Sequence, residues 1–95
     1  MGYQQSCVYF APVSQSTVKR DYRALAQVVR QSREVAGLTQ EELAEKLGKP
    51  QSFVSKVENG DRSLDVPELR AIAHATGLTL VEIVTQYEAL LNARK

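Results

Sequence analysis

Apolar residues recur with a helical period along most of the chain from residue 18 onward. Ser16 or Thr17 can cap a helix start, and Gly37 suits the left-handed position that follows a last turn. The pattern predicts a helix from about Ser16 or Thr17 to Ala36, whose arginines face water or a polyanion. Its apolar stripe, with steps of three, four or seven residues, comprises Val18, Tyr22, Leu25, Val29 and Ala36.

Two short helices joined by a tight turn are predicted next. Thr39 with Glu42 has the spacing of a capping box, in which each residue bonds the backbone N–H of the other. Gly48 ends the first helix. The second runs from about Gln51 to Glu58, and Pro50 suits its N-cap or first position. Helices connected this closely cross steeply, as in a helix-turn-helix. The side chains predicted to fix the crossing are Leu43, Ala44, Leu47, Val54 and Val57.

Two further helices begin at capping-box pairs, Asp65 with Glu68 and Thr79 with Glu82. Together the segments predict an all-α fold of five helices with short connections. The helix-turn-helix domain is expected to span residues 18–95, with the helix-turn-helix at 39–59 and the C-terminal helix at 79–93. The inward side of the fourth helix is predicted to be Val66, Leu69, Ile72 and Ala73. The fifth helix carries the apolar residues Leu80, Ile83, Val84, Tyr87, Leu90 and Leu91.

Residues 1–17 form a short N-terminal arm in this prediction. Cys7 to Phe10 has the composition of a strand, and Pro12 ends it. A single strand of this length is unstable alone in water. The alternatives are a loosely held tail and an extended arm that pairs with its symmetry mate in a dimer.

The length, composition and net charge of the chain bear on its domain count, location and partner. The 95 residues suffice for one domain, and the lone Cys7 cannot form an intrachain disulfide. No membrane-length apolar run and no signal-peptide pattern are found, so we expect a cytoplasmic protein without a membrane partner. The net charge of +1 argues against a nucleic-acid partner, yet residues 1–38 carry five basic and two acidic side chains, a balance of +3. A surface can be basic where the whole domain is not.

Catalytic chemistry is poorly represented. His74 is the sole histidine and lies in an alanine-rich stretch, and Cys7 has no predictable partner. One histidine and one cysteine cannot build a structural zinc site. The five glycines form no phosphate loop, and those at 37, 48, 60 and 77 end predicted helices. The sequence therefore predicts no catalytic residue, no metal, no cofactor and no enzyme activity.

The third helix carries the chemistry that favours DNA. Because Val54 and Val57 face inward, Gln51, Ser52, Ser55 and Lys56 project outward. Gln can bond adenine at N6 and N7, Lys can reach guanine O6 and N7, and Ser can take either role. Phe53 lies beside this polar side, where it touches a thymine methyl or sugar, or else folds back onto the second helix.

These residues resemble the lambda-repressor-like helix-turn-helix regulators, also called the xenobiotic-response-element or Cro/C1-type family. The resemblance covers about residues 22–78 and rests on TQEELA at 39–44, LG at 47–48 and QSFVSKVENG at 51–60. It implies a five-helix fold with the third helix in the major groove. By position, Gln40 is implied to bind a phosphate, Glu58 to bond within the turn, and Asn59 and Arg62 to contact the backbone. The implied base contacts are Gln51, Ser52 and Lys56, with Ser55 at a base or phosphate.

The resemblance leaves alternatives for three of these residues. Gln40 would otherwise be a solvated first-turn residue, Lys56 an ordinary surface lysine, and Asn59 a C-cap without a role in DNA binding. A single domain makes few contacts, so a two-fold dimer on a pseudo-palindrome is expected. The predicted dimer interface is the apolar side of the fifth helix, Leu80, Ile83, Val84, Tyr87, Leu90 and Leu91.

The predicted function is a DNA-binding transcriptional regulator, a dimeric repressor whose partners are double-stranded DNA and a second copy of the chain. No pocket for a small-molecule ligand is evident. The alternative is an antitoxin or accessory module that uses the same fold to bind another protein, which the N-terminal arm favours.

Overall fold

A computed structural model describes residues 15–93, with side chains described from residue 19 onward. All regular structure in this part of the chain is helical, which confirms the predicted all-α fold of five helices. Residues 1–14, which contain most of the predicted arm and its candidate strand, lie outside the described residues. The helices are α1 (Gln15–Val35), α2 (Gln40–Leu47), α3 (Gln51–Glu58), α4 (Val66–Ala75) and α5 (Leu80–Ala93).

The predicted helix boundaries are accurate where a cap marks them. The Thr39 hydroxyl accepts from the Glu42 N–H at 3.1 Å, and the Glu42 carboxylate accepts from the Thr39 N–H at 2.8 Å. Gly48 then closes α2 at φ +66°, a conformation that L side chains rarely adopt. The remaining cap pairs, Asp65 with Glu68 and Thr79 with Glu82, make the same reciprocal bonds.

The start of α1 differs from the prediction. The helix begins at Gln15, so Ser16 and Thr17 lie inside its first turn instead of capping it. No local signal in the sequence distinguishes three adjacent polar residues that can all begin a helix.

The five helices enclose one core. α1 packs against α5 and α3, α2 packs against α3 and α4, and α4 packs against α5. These contacts bury the predicted interior of the helix-turn-helix pair, although Leu47 is only half-buried. The buried core comprises Val28, Val29, Leu43, Ala44, Phe53, Val54, Val57, Ile72, Ala73 and Ile83.

Three residues predicted to face inward are exposed. Tyr22 is 39% exposed, Ala36 is exposed, and the buried side of α1 instead includes Ala24 and Val28. Ala36 lies beyond the last residue of α1, and Tyr22 lies at the edge of the side that packs on α3 and α5, where it borders a surface groove. Val66 is 64% exposed because it is the first residue of α4, and helical side chains point back beyond that end.

Candidate nucleic-acid interface

The α2–α3 pair presents one polar side to solvent. Its crossing is fixed by buried side chains of both helices, which leaves the opposite side of α3 free. Gln51, Ser52, Lys56 and Asn59 are exposed there, and Ser55 is half-buried. The structure therefore brings together five of the eight predicted DNA-binding residues on one helix surface.

Gln40 and Gln51 join the N-terminal ends of the two helices. The Gln51 Nε2 donates to Gln40 Oε1 at 2.7 Å, and Gln40 Nε2 donates to Glu58 Oε1 at 3.0 Å. Gln40 is half-buried in this network, so it is more constrained than a solvated first-turn residue. Gln51 keeps its carbonyl oxygen and a second amide N–H, the two groups that a bidentate contact with adenine uses.

Glu58 is the buried centre of the network. Its side chain is fully buried and accepts from Arg33 through Nε at 2.7 Å and Nη2 at 3.0 Å. Arg30 Nε lies 3.6 Å from Glu58 Oε1, and Arg33 Nη1 also donates to the Leu38 carbonyl at 2.8 Å. The predicted bonding of Glu58 within its own turn is wrong, because its partners lie on α1 and α2.

The surroundings of Glu58 keep it ionised. Burial by itself raises the pKa of Glu58, but hydrogen bonds from Arg33 and Gln40, with the charges of Arg33 and Arg30, outweigh it and lower the pKa below its usual value. Arg33 is correspondingly 11% exposed, contrary to the expectation that the α1 arginines face water or a polyanion. Sequence reasoning missed Arg33, because no local pattern shows that Glu58 is buried and needs a cation beside it.

Phe53 belongs to the core. It is 8% exposed and turned away from the polar side of α3, so it folds back into the packing between helices. Two cations cover its ring, Lys49 Nζ at 5.3 Å and the Arg62 guanidinium at 4.7 Å from the centroid. Phe53 thus positions cations beside α3 and does not project with the exposed polar residues of this helix.

Arg62 is held in place by a carboxylate. It makes a bidentate pair with Glu68 at 3.0 Å for both bonds, and these bonds, with the backbone N–H of Asp65, lower the pKa of Glu68. The Arg62 side chain remains 39% exposed. It can still reach a phosphate, but its charge is already partly neutralised.

The predicted dimer residues divide between two environments. Ile83 is fully buried, and Leu80, Tyr87 and Leu90 are partly buried against the same core. Ile83 is therefore unavailable to a partner chain. Val84 is 41% exposed. Val81, which the prediction omitted, is also an exposed apolar residue of α5, at 74%.

No other constellation in residues 15–93 suggests catalysis. The described side chains contain no group of three or more histidine, cysteine, aspartate or glutamate residues arranged to hold a metal ion. His74 is exposed on α4. None of the described helices is long and apolar enough to cross a membrane.

Comparison with known proteins identifies relatives of this arrangement. Residues 29–83 match the helix-turn-helix family, whereas no curated protein matches the chain. An XRE-family like protein from Pseudomonas syringae is similar over 80% of this chain and 93% of its own, with 39% identity and a TM-score of 0.71. The clp gene regulator ClgR from Corynebacterium glutamicum has 26% identity and a TM-score of 0.69, covering 78% of this chain and 82% of its own.

The fold recurs at lower identity. A mutant of the restriction-modification controller protein C.Esp1396I has 22% identity and a TM-score of 0.71, with 76% of this chain and 96% of that chain covered. The family match includes the whole of α2, α3 and α4, the part of the chain that carries the polar side of α3. The chain belongs to the Cro/C1-type, lambda-repressor-like helix-turn-helix family of DNA-binding transcription regulators.

Proposed function

We propose that this protein is a sequence-specific regulator that reads DNA by inserting α3 into the major groove. The observation that carries the proposal is the polar side of α3, held in register by hydrogen bonds that run from Gln51 through Gln40 to the buried Glu58. A side chain fixed before binding loses less conformational freedom when it meets a base edge. The protein would act in the cytoplasm, where its DNA is accessible.

Each exposed group on this side has a DNA partner of matching chemistry. Gln51 suits adenine, Lys56 suits guanine, and the Ser52 hydroxyl can donate or accept. Asn59 ends α3 beside Ser55, and on the far side Arg62 faces solvent next to Phe53. We assign base reading to Gln51, Ser52 and Lys56, and phosphate contacts to Asn59 and Arg62. Gln40 orients Gln51, and the N-terminal end of its helix can bind a phosphate.

The direct test removes the reading groups. Gln51→Ala combined with Lys56→Ala should abolish preference for the sequence that the wild-type chain selects from a random DNA pool. Each lost bidentate contact corresponds to about 1–3 kcal/mol of discrimination between bases. Gln86→Ala combined with Arg70→Ala is a matched control, since these exposed residues lie on α5 and α4. Unchanged site preference in the first variant would show that α3 does not read the groove.

The proposed active form is a dimer that represses by occluding its site. The apolar side chains that α5 leaves exposed, Val81 and Val84, are available for a second copy. Val84 lies along a shallow groove that Thr85, Glu88 and Ala89 also border. A two-fold pair would present two α3 helices to the half-sites of a pseudo-palindrome.

A second candidate function is that of an antitoxin or accessory module that binds another protein. The observation that favours it is Val35, which is 90% exposed at the end of α1 and borders a groove with Thr76 and Leu78. Such a module without DNA-binding activity would enrich no sequence from a random pool. An enriched motif would favour the regulator.

A further inference from the structure

The basic side chains of α1 form a single row along the helix. Lys19, Arg23, Arg30 and Arg33 occupy positions i, i+4, i+11 and i+14, which share one side of a helix. The i+7 position is Ala26, which is 4% exposed. Asp21 lies off the row and pairs with its neighbour Arg20 at 3.2 Å, whereas the acidic Glu34 lies at the C-terminal end of the row, next to Arg33.

This row lies beside the C-terminal end of α3. At one end, Arg33 and Arg30 approach the buried Glu58 at 2.7 and 3.6 Å. Further along, a Cβ placed on Gly60 would lie 3.7 Å from Cγ of Arg23. The Arg23 stem therefore lies beside the turn that ends α3, and Lys19 lies one helical turn further toward the N-terminus of α1.

The charge of the row is only partly neutralised. One buried carboxylate, Glu58, faces both Arg33 and Arg30, and the Arg30 side chain is still 51% exposed. Arg23 is exposed and makes no ion pair among the described residues, including with Asp61, the acid that follows Gly60. Both carboxylates near the row, the buried Glu58 and the exposed Glu34, lie toward Arg30 and Arg33, so the surplus of positive charge lies at Lys19 and Arg23.

The position of the row suits a nucleic-acid backbone. The major groove is about 12 Å wide, so it admits one helix. Arg23 lies beside Gly60, just past the end of α3, so with α3 inserted it would lie outside the groove, near the phosphates at its edge. The family match begins at residue 29, so Lys19 and Arg23 lie before the matched residues.

We propose that the N-terminal half of α1 is an additional phosphate-binding site, in which Arg23 and Lys19 contact the DNA backbone next to the end of α3. The inference rests on the proposed DNA-binding function. Such contacts add affinity and fix register without adding sequence preference, because every phosphate offers the same acceptors.

The test is the salt dependence of binding by Lys19→Gln combined with Arg23→Gln. Each phosphate contact contributes about 0.9 to the slope of log affinity against log salt. The double variant should lose about 1.8 from the slope for each bound chain. Raising the salt from ~50 to ~200 mM should therefore reduce the affinity of the double variant by a factor about tenfold smaller than for the wild type. Arg70→Gln is the control, since Arg70 is an exposed arginine on α4, which packs chiefly on α2 and α5.

The measurement is made on the selected DNA site and on an unrelated duplex, because a phosphate contact operates on both. An Arg23→Lys variant with a near wild-type slope would support the site, as would loss of one backbone contact per position in ethylation interference. A double variant whose slope equals that of Arg70→Gln on both duplexes would overturn it. Failure of the proposed function is distinct, since the wild-type chain would then prefer no sequence.

Discussion

The buried Arg33–Glu58 pair is the contact whose loss should most affect both stability and the site. Arg33→Met removes the guanidinium and leaves a fully buried carboxylate with Gln40 and the more distant Arg30. Removing one member of a buried ion pair costs about 3–5 kcal/mol. Because Arg30 remains 3.6 Å away and is half-exposed, we expect the lower end, about 3 kcal/mol.

A loss of this size is large for the domain. The free energy of unfolding of proteins is about 5–15 kcal/mol, and a domain of this length lies in the lower part of that range. A change of 1 kcal/mol shifts the melting temperature by about 4–8 °C in a domain of this size, so Arg33→Met should lower it by about 12–24 °C. Urea unfolding followed by circular dichroism measures the free energy directly.

The control removes an arginine from an ion pair at the surface. Arg20→Met removes a guanidinium from an exposed pair with Asp21, which should change stability by less than about 1 kcal/mol. In a double-mutant cycle, Glu58→Leu added to Arg33→Met should cost less than the sum of the two single changes. If Arg33→Met cost no more than Arg20→Met, Glu58 would be solvated and the network could not orient Gln51.

Four further predictions concern other elements. Thr39→Ala removes the α2 cap and should cost about 1 kcal/mol, measured by thermal unfolding. Phe53→Ala should cost about 3–5 kcal/mol in urea unfolding; if it lowered DNA affinity with stability unchanged, Phe53 would be a DNA contact. Val84→Asp places a charge on the proposed dimer surface and should shift sedimentation from dimer to monomer, whereas wild-type sedimentation as a monomer at micromolar concentration would refute the interface. Because the pKa of Glu58 is lowered on folding, its contribution is complete above its ordinary pKa of 4.5 and is lost as the pH falls through the folded value. Glu58→Gln should therefore lose less stability than wild type below pH 4.5, and an equal loss in both would contradict the lowered pKa.

Local patterns were sufficient to predict the helices and the exposed side of α3. Capping pairs depend on residues three positions apart, and Val54 with Val57 determines which way α3 faces, so Gln51, Ser52 and Lys56 follow from local sequence. The same reasoning failed for Tyr22, because the buried arc of α1 depends on which helices cross it.

The sequence by itself determined the helix count, the caps, the helix-turn-helix and the family, all of which depend on residues close together in the chain. Only the tertiary structure decided that Arg33 meets Glu58 across 25 positions and that Phe53 turns inward beneath Arg62. It also decided that Ile83 is buried in the core and that Arg23 lies beside Gly60. Periodicity specifies which side of one helix is apolar, whereas a buried charge or a basic row acquires its partner only when helices distant in sequence pack together.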